Sequence, residues 1–441
     1  MATAAFWCTK CDTQYAKWQG RCRECGGWST VIAATPDAAA IAEAPEAAPL
    51  ASFATAVHDR LITGITEVDR VLGGGLVPGS VVLIGGEPGV GKSTLLLQMA
   101  QSLHARDARV FYLSGEESGA QVSLRAKRLG LACEFAFVHV HDFASVKALL
   151  VKEHPSIAIV DSLQTLTDAA VAGEAGSLSQ VRAITAQLVA IAKEQSIVLI
   201  LVGHVTKDGQ VAGPKTLEHL VDCVAYLETR EDGATRILRA AKNRFGATGE
   251  IGVFAMEVQG LIPLQNPGAH FLEHPTALPA GSVITATIDD TRALACKIQS
   301  LITKTAYGMP QRRASGVDAS RMQLIIALLS RKLKLPLGSQ DVFVNAARGL
   351  EVRERASDAA IAVSIISAFQ DRALPKYTAI LGELGLSGEL RPVTHLDLRI
   401  KELERMGITD VWLPKQKLPA VKTVGLRTIA TLQELALALK P

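Results

Sequence analysis

Gly86-Glu87-Pro88-Gly89-Val90-Gly91-Lys92-Ser93-Thr94 is the stretch on which the reading of this chain turns. It follows the apolar run Val81-Val82-Leu83-Ile84 and precedes Leu95-Leu96-Leu97-Gln98-Met99-Ala100, an apolar segment of helical type. Strand, glycine-rich turn and helix in that order are the setting a phosphate-binding loop requires. Glycines let successive backbone N–H groups curl towards phosphate oxygens, and the helix N-terminus adds partial positive charge. In that setting Lys92 reaches the β- and γ-phosphates and Ser93 ligates Mg²⁺. Residues Gly86 to Thr94 are therefore the expected cradle for ATP or ADP.

Outward from the loop, residues 52 to about 264 alternate apolar strands with helical patterns, the mark of a parallel sheet covered on both faces. Val110-Phe111-Tyr112-Leu113 leads into Ser114-Gly115-Glu116-Glu117-Ser118, which places acids at a strand's C-terminal end, where α/β ligands bind. Glu116 is the candidate to orient or deprotonate the attacking water. The other role for an acid here, favouring a helix dipole, suits Glu117 or Ser118 better. Ile157-Ala158-Ile159-Val160-Asp161 reads as a buried strand that delivers a carboxylate to Mg²⁺, directly or through water. Residues 167–177 lack an apolar stripe and read as a flexible loop on the same edge.

The strand Ile197–Val202 runs into Gly203 and His204. His204 is either a γ-phosphate sensor or a structural histidine at a strand end. A second loop, 206–215, carries Lys207 and Lys215. Arg236 to Gly246 is a strand ending in a basic cluster, with Lys242 and Arg244 on one face at period two. Such cations could be solvated, or could meet a phosphate of DNA or of a neighbouring subunit's nucleotide.

Length and composition set bounds. The 441 residues allow two or three domains, and 48% hydrophobic with 20% charged residues is ordinary for a globular protein. A formal net charge of +3 carries no argument for nucleic acid, which would have to come from local patches. No apolar leader or run of 18 apolar residues occurs, so neither a signal peptide nor a membrane span is expected. Seven cysteines, four of them near the N-terminus, suit a reducing cytoplasm and a metal site.

Those four form Cys8-x-x-Cys11 and Cys22-x-x-Cys25, the spacing of a tetrahedral Cys₄ site for structural Zn²⁺. So short a segment cannot bury enough apolar surface to fold alone, and the metal supplies the missing free energy. Trp7, Tyr15, Trp18 and Trp28 are expected to pack around it as a small core. Residues 33–52, rich in alanine and broken by Pro36, Pro45 and Pro49, read as a linker.

The two CxxC pairs, GEPGVGKST, SGEES, VDS, GHVTKDG and KNRFG, in that order, resemble the bacterial RadA (Sms) DNA repair family over essentially the whole chain. The resemblance implies a RecA-like P-loop NTPase core between an N-terminal zinc ribbon and a C-terminal Lon-protease-like α/β domain. It implies segments 1–32, 33–52, 53–266 and 267–441 as zinc finger, linker, ATPase and Lon-like domain. Lys92, Ser93, Glu116 and Asp161 then take the ATPase roles, loops 167–177 and 206–215 face DNA, and Lys242 and Arg244 lie at a subunit boundary. The implied activity is a DNA-stimulated ATPase. It would act as a hexameric ring on single-stranded and branched DNA, driving branch migration alongside a recombinase and the replicative helicase machinery.

Beyond residue 267 short strands such as Ser282–Thr287 and Val342–Asn345 alternate with helices, among them Arg321–Leu333 with apolar positions 324, 325, 328 and 329. Arg312, Arg313, Arg321, Arg331, Lys332 and Lys334 make its first part basic, either a solvated face or a DNA path. The region resembles the peptidase domain of Lon proteases, in which a Ser–Lys pair acts. Ser357 falls near the nucleophile, but Asp397 stands near the lysine's position, with Lys401 close by. A serine without an amine base is a poor nucleophile, so a silent scaffold is expected. An ATP-dependent peptidase and a nucleotide-gated adaptor are the alternatives to the DNA motor.

Overall fold

The computed structural model describes residues 6–8, 10, 13–15, 17–33, 60–204, 217–230, 233–264, 278–306, 308–419 and 423–439. The chain divides into two compact units, Met1–Val57 and His58–Pro441.

In the first unit β1 (Phe6–Cys8) lies between β2 (Gln14–Tyr15) and β3 (Val31–Ala33) in an antiparallel sheet. Its core is Cys8, Cys22 and Val31, with Phe6, Tyr15 and Cys25 packed against them. Of the four aromatics expected to pack there, Tyr15 does so, whereas Trp18 is 63% and Trp28 73% exposed and the Trp7 side chain lies outside the described residues. Thiols and small strand residues fill the little interior there is. Arg21 covers the Trp28 ring at 5.7 Å.

The second unit begins with α1 (Thr66–Val71), β4 (Val81–Gly86) and α2 (Lys92–His104). After them come β5 (Val110–Ser114), α3 (Gly119–Arg128), β6 (Ala136–His139), α4 (Phe143–Glu153) and β7 (Ile157–Asp161). Then follow α5 (Leu178–Gln195), β8 (Val198–His204), β9 (Cys223–Thr229), β10 (Thr235–Asn243), β11 (Ile251–Glu257) and β12 (Gly260–Pro263). One nine-stranded sheet results, in the order β12-β11-β10-β9-β4-β8-β7-β5-β6.

Strands β4 to β9 pair in parallel, and β10 to β12 add an antiparallel wing. Every residue of β4 is buried, as a central parallel strand requires. Val82 and Ile84 face the core that holds Leu95, Leu96 and Met99 of α2, while Val81 and Leu83 face the core that holds Val146, Val181 and Ile184. Period-two alternation thus feeds two helical layers from one strand. Each leucine so buried contributes about 1.5–3 kcal/mol.

A seven-stranded sheet follows, built from β13 (Ser282–Asp289), β14 (Arg292–Lys304), β15 (Arg312–Ser315), β16 (Gln340–Ala346), β17 (Thr378–Ile380), β18 (Asp410–Leu413) and β19 (Gly425–Thr428). Its order is β15-β16-β14-β13-β17-β18-β19. Helices α6 (Ala319–Lys332) and α7 (Asp358–Gln370) bury one face, and α8 (Leu396–Arg405) covers part of the other. In α6 the buried stripe is Met322, Ile325, Ile326, Leu328 and Leu329, whereas Leu324 is 45% exposed. Of the four positions expected, 325, 328 and 329 are buried, and Met322 and Ile326 complete the stripe in place of Leu324.

Ile237, Ile251 and Val253 of the first sheet's wing share a core with Val283, Leu294 and Ile298 of the second. Glu67 of α1, 1% exposed, pairs with Arg292 and also accepts the Val253 N–H at 2.9 Å. The two sheets are therefore joined by both apolar packing and a buried ion pair. No described helix is long and apolar enough to cross a membrane.

Candidate functional site

The loop after β4 turns tightly enough to need its glycines. A Cβ on Gly86 would stand 2.5 Å from the Leu227 carbonyl oxygen, and Gly91, the N-cap of α2, has φ +113°. Lys92, only 4% exposed, folds back so that Nζ donates to the carbonyls of Gly86 (2.9 Å) and Glu87 (3.0 Å). Burial lowers its pKa, with Asp161 and Glu116 acting in the opposite direction. Ser93 and Thr94 occupy the first turn of α2 beside it.

Two carboxylates share this edge. Parallel pairing sets Ser114, the end of β5, opposite Asp161, the end of β7. Asp161 accepts the Tyr112 hydroxyl at 2.6 Å, and Glu116 Oε1 accepts the Ser162 hydroxyl. Gly115 is obligatory here, since a Cβ would overlap Thr165 Oγ1. Glu117 instead pairs with Arg125, and Ser118 caps α3 in a capping box with Gln121, so the helix-end duties fall where the sequence suggested. Tyr112 and Ser162 gave no sequence signal, because each acts through a partner distant in the chain.

Residues 167–177, expected to be flexible, have a defined conformation. Gln180, buried in α5, accepts the Asp168 N–H at 2.8 Å and donates to the carbonyls of Asp168, Val171 and Gly173. One buried amide thus replaces the apolar stripe that the loop lacks. His204 ends β8 opposite Gly86 in parallel register. Its imidazole and the loop 206–215 with Lys207 and Lys215 lie outside the described residues.

The basic strand end is elsewhere. Gly86 pairs with Leu227, which pairs with Leu238, whereas Val82 pairs with Cys223, which pairs with Asn243. Lys242, paired with Val224, and Arg244 beyond it therefore stand towards the opposite end of the strands, about 10 Å and more along β9 from the register of Gly86. Lys242 Nζ donates to the carbonyls of Glu218 and Val221, the latter at 2.8 Å. Arg244 pairs at 3.0 Å with Asp222, a carboxylate that also accepts the Val81 N–H. A bulge between Ala240 and Lys242 shifts the register, yet both cations still reach the 218–222 segment. Gly246 is pressed on Gly73, where a Cβ would come within 3.0 Å of the Gly73 Cα.

In the first unit the sulfur atoms of Cys8, Cys22 and Cys25 all lie within 4.8 Å of one another. Cys8 Sγ is 3.7 Å from Cys25 Sγ; it donates to the Thr30 hydroxyl oxygen at 3.2 Å and accepts the Lys10 N–H at 3.4 Å. Three converging sulfurs, one of them accepting a backbone N–H, suit thiolates around a tetrahedral ion. Cys11, the expected fourth ligand, lies outside the described residues.

Residues 45–210 match the family model of the AAA domain, and residues 301–417 match that of subunit ChlI of Mg-chelatase. The chain is 40% identical to the DNA repair protein RadA of Listeria monocytogenes, covering 97% of this chain and 96% of that one. It is also 40% identical to the DNA repair protein RadA of Bacillus subtilis, over 96% of each chain. The chain belongs to the RadA family. Its RadA relative from Streptococcus pyogenes serotype M1 is 39% identical over 97% of each chain.

The RadA-family chain carries Ser357 at the start of α7, wholly buried, with a hydroxyl that has no hydrogen-bond partner among the described residues. The adjacent Asp358 is bound by the Arg321 guanidinium and accepts the Leu384 N–H. Burial raises the Asp358 pKa, and the Arg321 hydrogen bond opposes that. Lys401 lies on the exposed side of α8, in a cleft with Arg70, Arg405 and Glu250, and Asp397 is exposed in the first turn of the same helix. Among the described residues no amine is hydrogen-bonded to Ser357.

Proposed function

We propose that this chain is a DNA-stimulated ATPase of recombinational repair that binds single-stranded DNA and drives branch migration. The observation that carries the reading is the convergence of Lys92, Glu116 and Asp161 on one edge of the sheet, beside the turn that starts α2. On this reading the Lys92 ammonium leaves the Gly86 and Glu87 carbonyls for the β- and γ-phosphates. Glu116, oriented by Ser162, aligns the attacking water and takes its proton. Ser93 and Asp161 would hold an Mg²⁺ ion, which would supply charge neutralisation at the phosphate oxygens. Cys8, Cys11, Cys22 and Cys25 would hold a structural Zn²⁺.

Lys242 and Arg244, turned away from their own chain's phosphate loop, act on the nucleotide of the next subunit in a hexameric ring. The relatives named DNA repair protein RadA support the DNA substrate. On this reading the protein is cytoplasmic, and its partners are a recombinase and the replicative helicase machinery. The ATPase and Lon-like segments meet near residue 266, and the second serves as scaffold rather than peptidase, because Ser357 lacks a base.

ATP turnover measured with and without single-stranded DNA tests the reading. Turnover that rises with DNA supports it. Turnover indifferent to DNA, or none, refutes it.

A further inference from the structure

Strand β10 looks two ways. Leu238 and Ala240 join the core under α1 and α2, whereas Ile237 joins the core around β13, β14, α6 and α7. By strand alternation Arg236 belongs to the first face and Arg239 to the second. Arg236 is 9% exposed, and its Nε donates to the Val90 carbonyl inside the phosphate loop at 3.0 Å. One terminal nitrogen donates to the carbonyls of Gly233 (2.8 Å) and Thr235 (3.2 Å), which anchors the guanidinium to its own hairpin. Arg239 reaches the other way, 3.0 Å from Asp289 Oδ1 at the end of β13, and Arg230, just beyond the end of β9, binds the second oxygen of Asp289. A cavity of about 450 Å³, lined in part by Arg230, Arg239, Asp289 and Glu354, lies beside that contact.

We propose that Arg236 is a positioning residue for the phosphate loop, and that β10 transmits the loop's state to the Asp289 contact. The proposal rests on nucleotide binding at that loop. Val90 lies between Gly89 and Gly91, whose φ angles of +78° and +113° leave the loop no helical or sheet ladder to hold it. In a planar trans peptide a carbonyl and the following N–H point in opposite directions. A guanidinium fixed on the Val90 carbonyl therefore fixes the Gly91 N–H on the other side, the side offered to phosphate. A charged donor suits the task, because such hydrogen bonds are about twice as strong as neutral ones. When phosphates engage the loop, any shift of Val90 moves Arg236 and with it β10, whose opposite face holds Asp289. The cavity leaves Arg239 and Asp289 room to respond.

The test uses the full-length protein, with Arg236→Met retaining length without donors and Arg236→Lys retaining one charged donor. Affinity for a fluorescent ADP analogue with Mg²⁺ should weaken about tenfold or more in Arg236→Met, the loss of one charge-assisted hydrogen bond. Arg236→Lys should recover part of it, which loss of bulk packing would not predict. Amide exchange over residues 288–293 should change on ADP binding in the wild type, and not in Asp289→Asn. Wild-type affinity in Arg236→Met would overturn the positioning role. Exchange over 288–293 that ignores ADP in the wild type would overturn the transmission. If Arg236→Met fails to fold, the proposal stands or falls on Arg236→Lys, which should bind ADP more weakly than the wild type. ADP binding without ATP hydrolysis would sink the motor reading and leave this proposal standing, whereas a wild type that binds no ADP sinks both.

Discussion

Lys92 and Lys242 stand at opposite edges of one sheet. Lys92 opens α2 just beyond Gly86, in register with Leu227 and Leu238, while Lys242 adjoins the Val82–Cys223–Asn243 register. Along β9 the register of Lys242 lies about 10 Å, and that of Asn243 about 13 Å, from that of Gly86. A trans role predicts that Arg244→Ala subunits mixed with Lys92→Ala subunits regain part of the ATP turnover that each lacks alone. Some interfaces then pair an intact loop with an intact Arg244. If mixed rings form but turnover stays at zero, and the salt slope of DNA binding falls instead, the pair binds DNA rather than nucleotide.

Lys92→Ala should lower ATP turnover by about 10²-fold or more, since it removes a cation from the transferring phosphoryl group. Circular dichroism should remain that of the wild type. The pH dependence follows from the burial of Lys92, which holds its pKa below the ordinary 10.5. Its positive charge is present below that pKa and is lost as pH rises through it. Nucleotide affinity of the free protein should therefore decline on the alkaline side before an ordinary lysine would titrate. Unchanged affinity up to the ordinary lysine range would contradict this.

Ser357→Ala should leave ATP turnover unchanged and alter stability by no more than about 1 kcal/mol, towards stabilisation, because the hydroxyl it removes is buried without a partner. ATP-dependent cleavage of an unfolded protein by the wild type, absent in the variant, would restore the peptidase reading.

Gln180→Ala should cost about 1–3 kcal/mol, since it leaves several loop carbonyls unpaired. Amide exchange should accelerate over residues 168–173 and not in β4. Protection that stays at the wild-type level would show that the loop is held by other contacts.

The N-terminal unit should carry one Zn²⁺ per chain by elemental analysis, and its binding should weaken at low pH as thiolates protonate. Cys22→Ser should release the metal without changing ATP turnover in the absence of DNA. Metal-free protein purified without chelators would refute the site.

Contiguous residues were enough for the phosphate loop, the paired CxxC turns and the buried strands that end at Asp161 and His204. In each, the conformation is encoded locally, by glycine spacing, by two thiols on one turn, or by apolar runs closed by a polar residue. Helix and strand identities follow for the same reason, although in α6 one of the four positions read as the stripe, Leu324, is exposed.

What those elements meet was settled by packing between distant segments. Ser162 lies 46 residues from the Glu116 it orients, and Arg236 lies 146 residues from the Val90 carbonyl it holds. Such pairs carry no local pattern, because each side chain's conformation is set by a partner that only the sheet order brings near. The antiparallel turn from β9 to β10 carries Lys242 and Arg244 away from the phosphate edge, and nothing in their own stretch records that direction. Trp18 and Trp28, read as core from their hydrophobicity, lie exposed, whereas among the described residues the interior is filled by Cys8, Cys22 and Val31 with Phe6, Tyr15 and Cys25 against them. Local conformation is a property of neighbours in the chain; proximity, burial and the edge on which a charge appears are properties of the assembled layers.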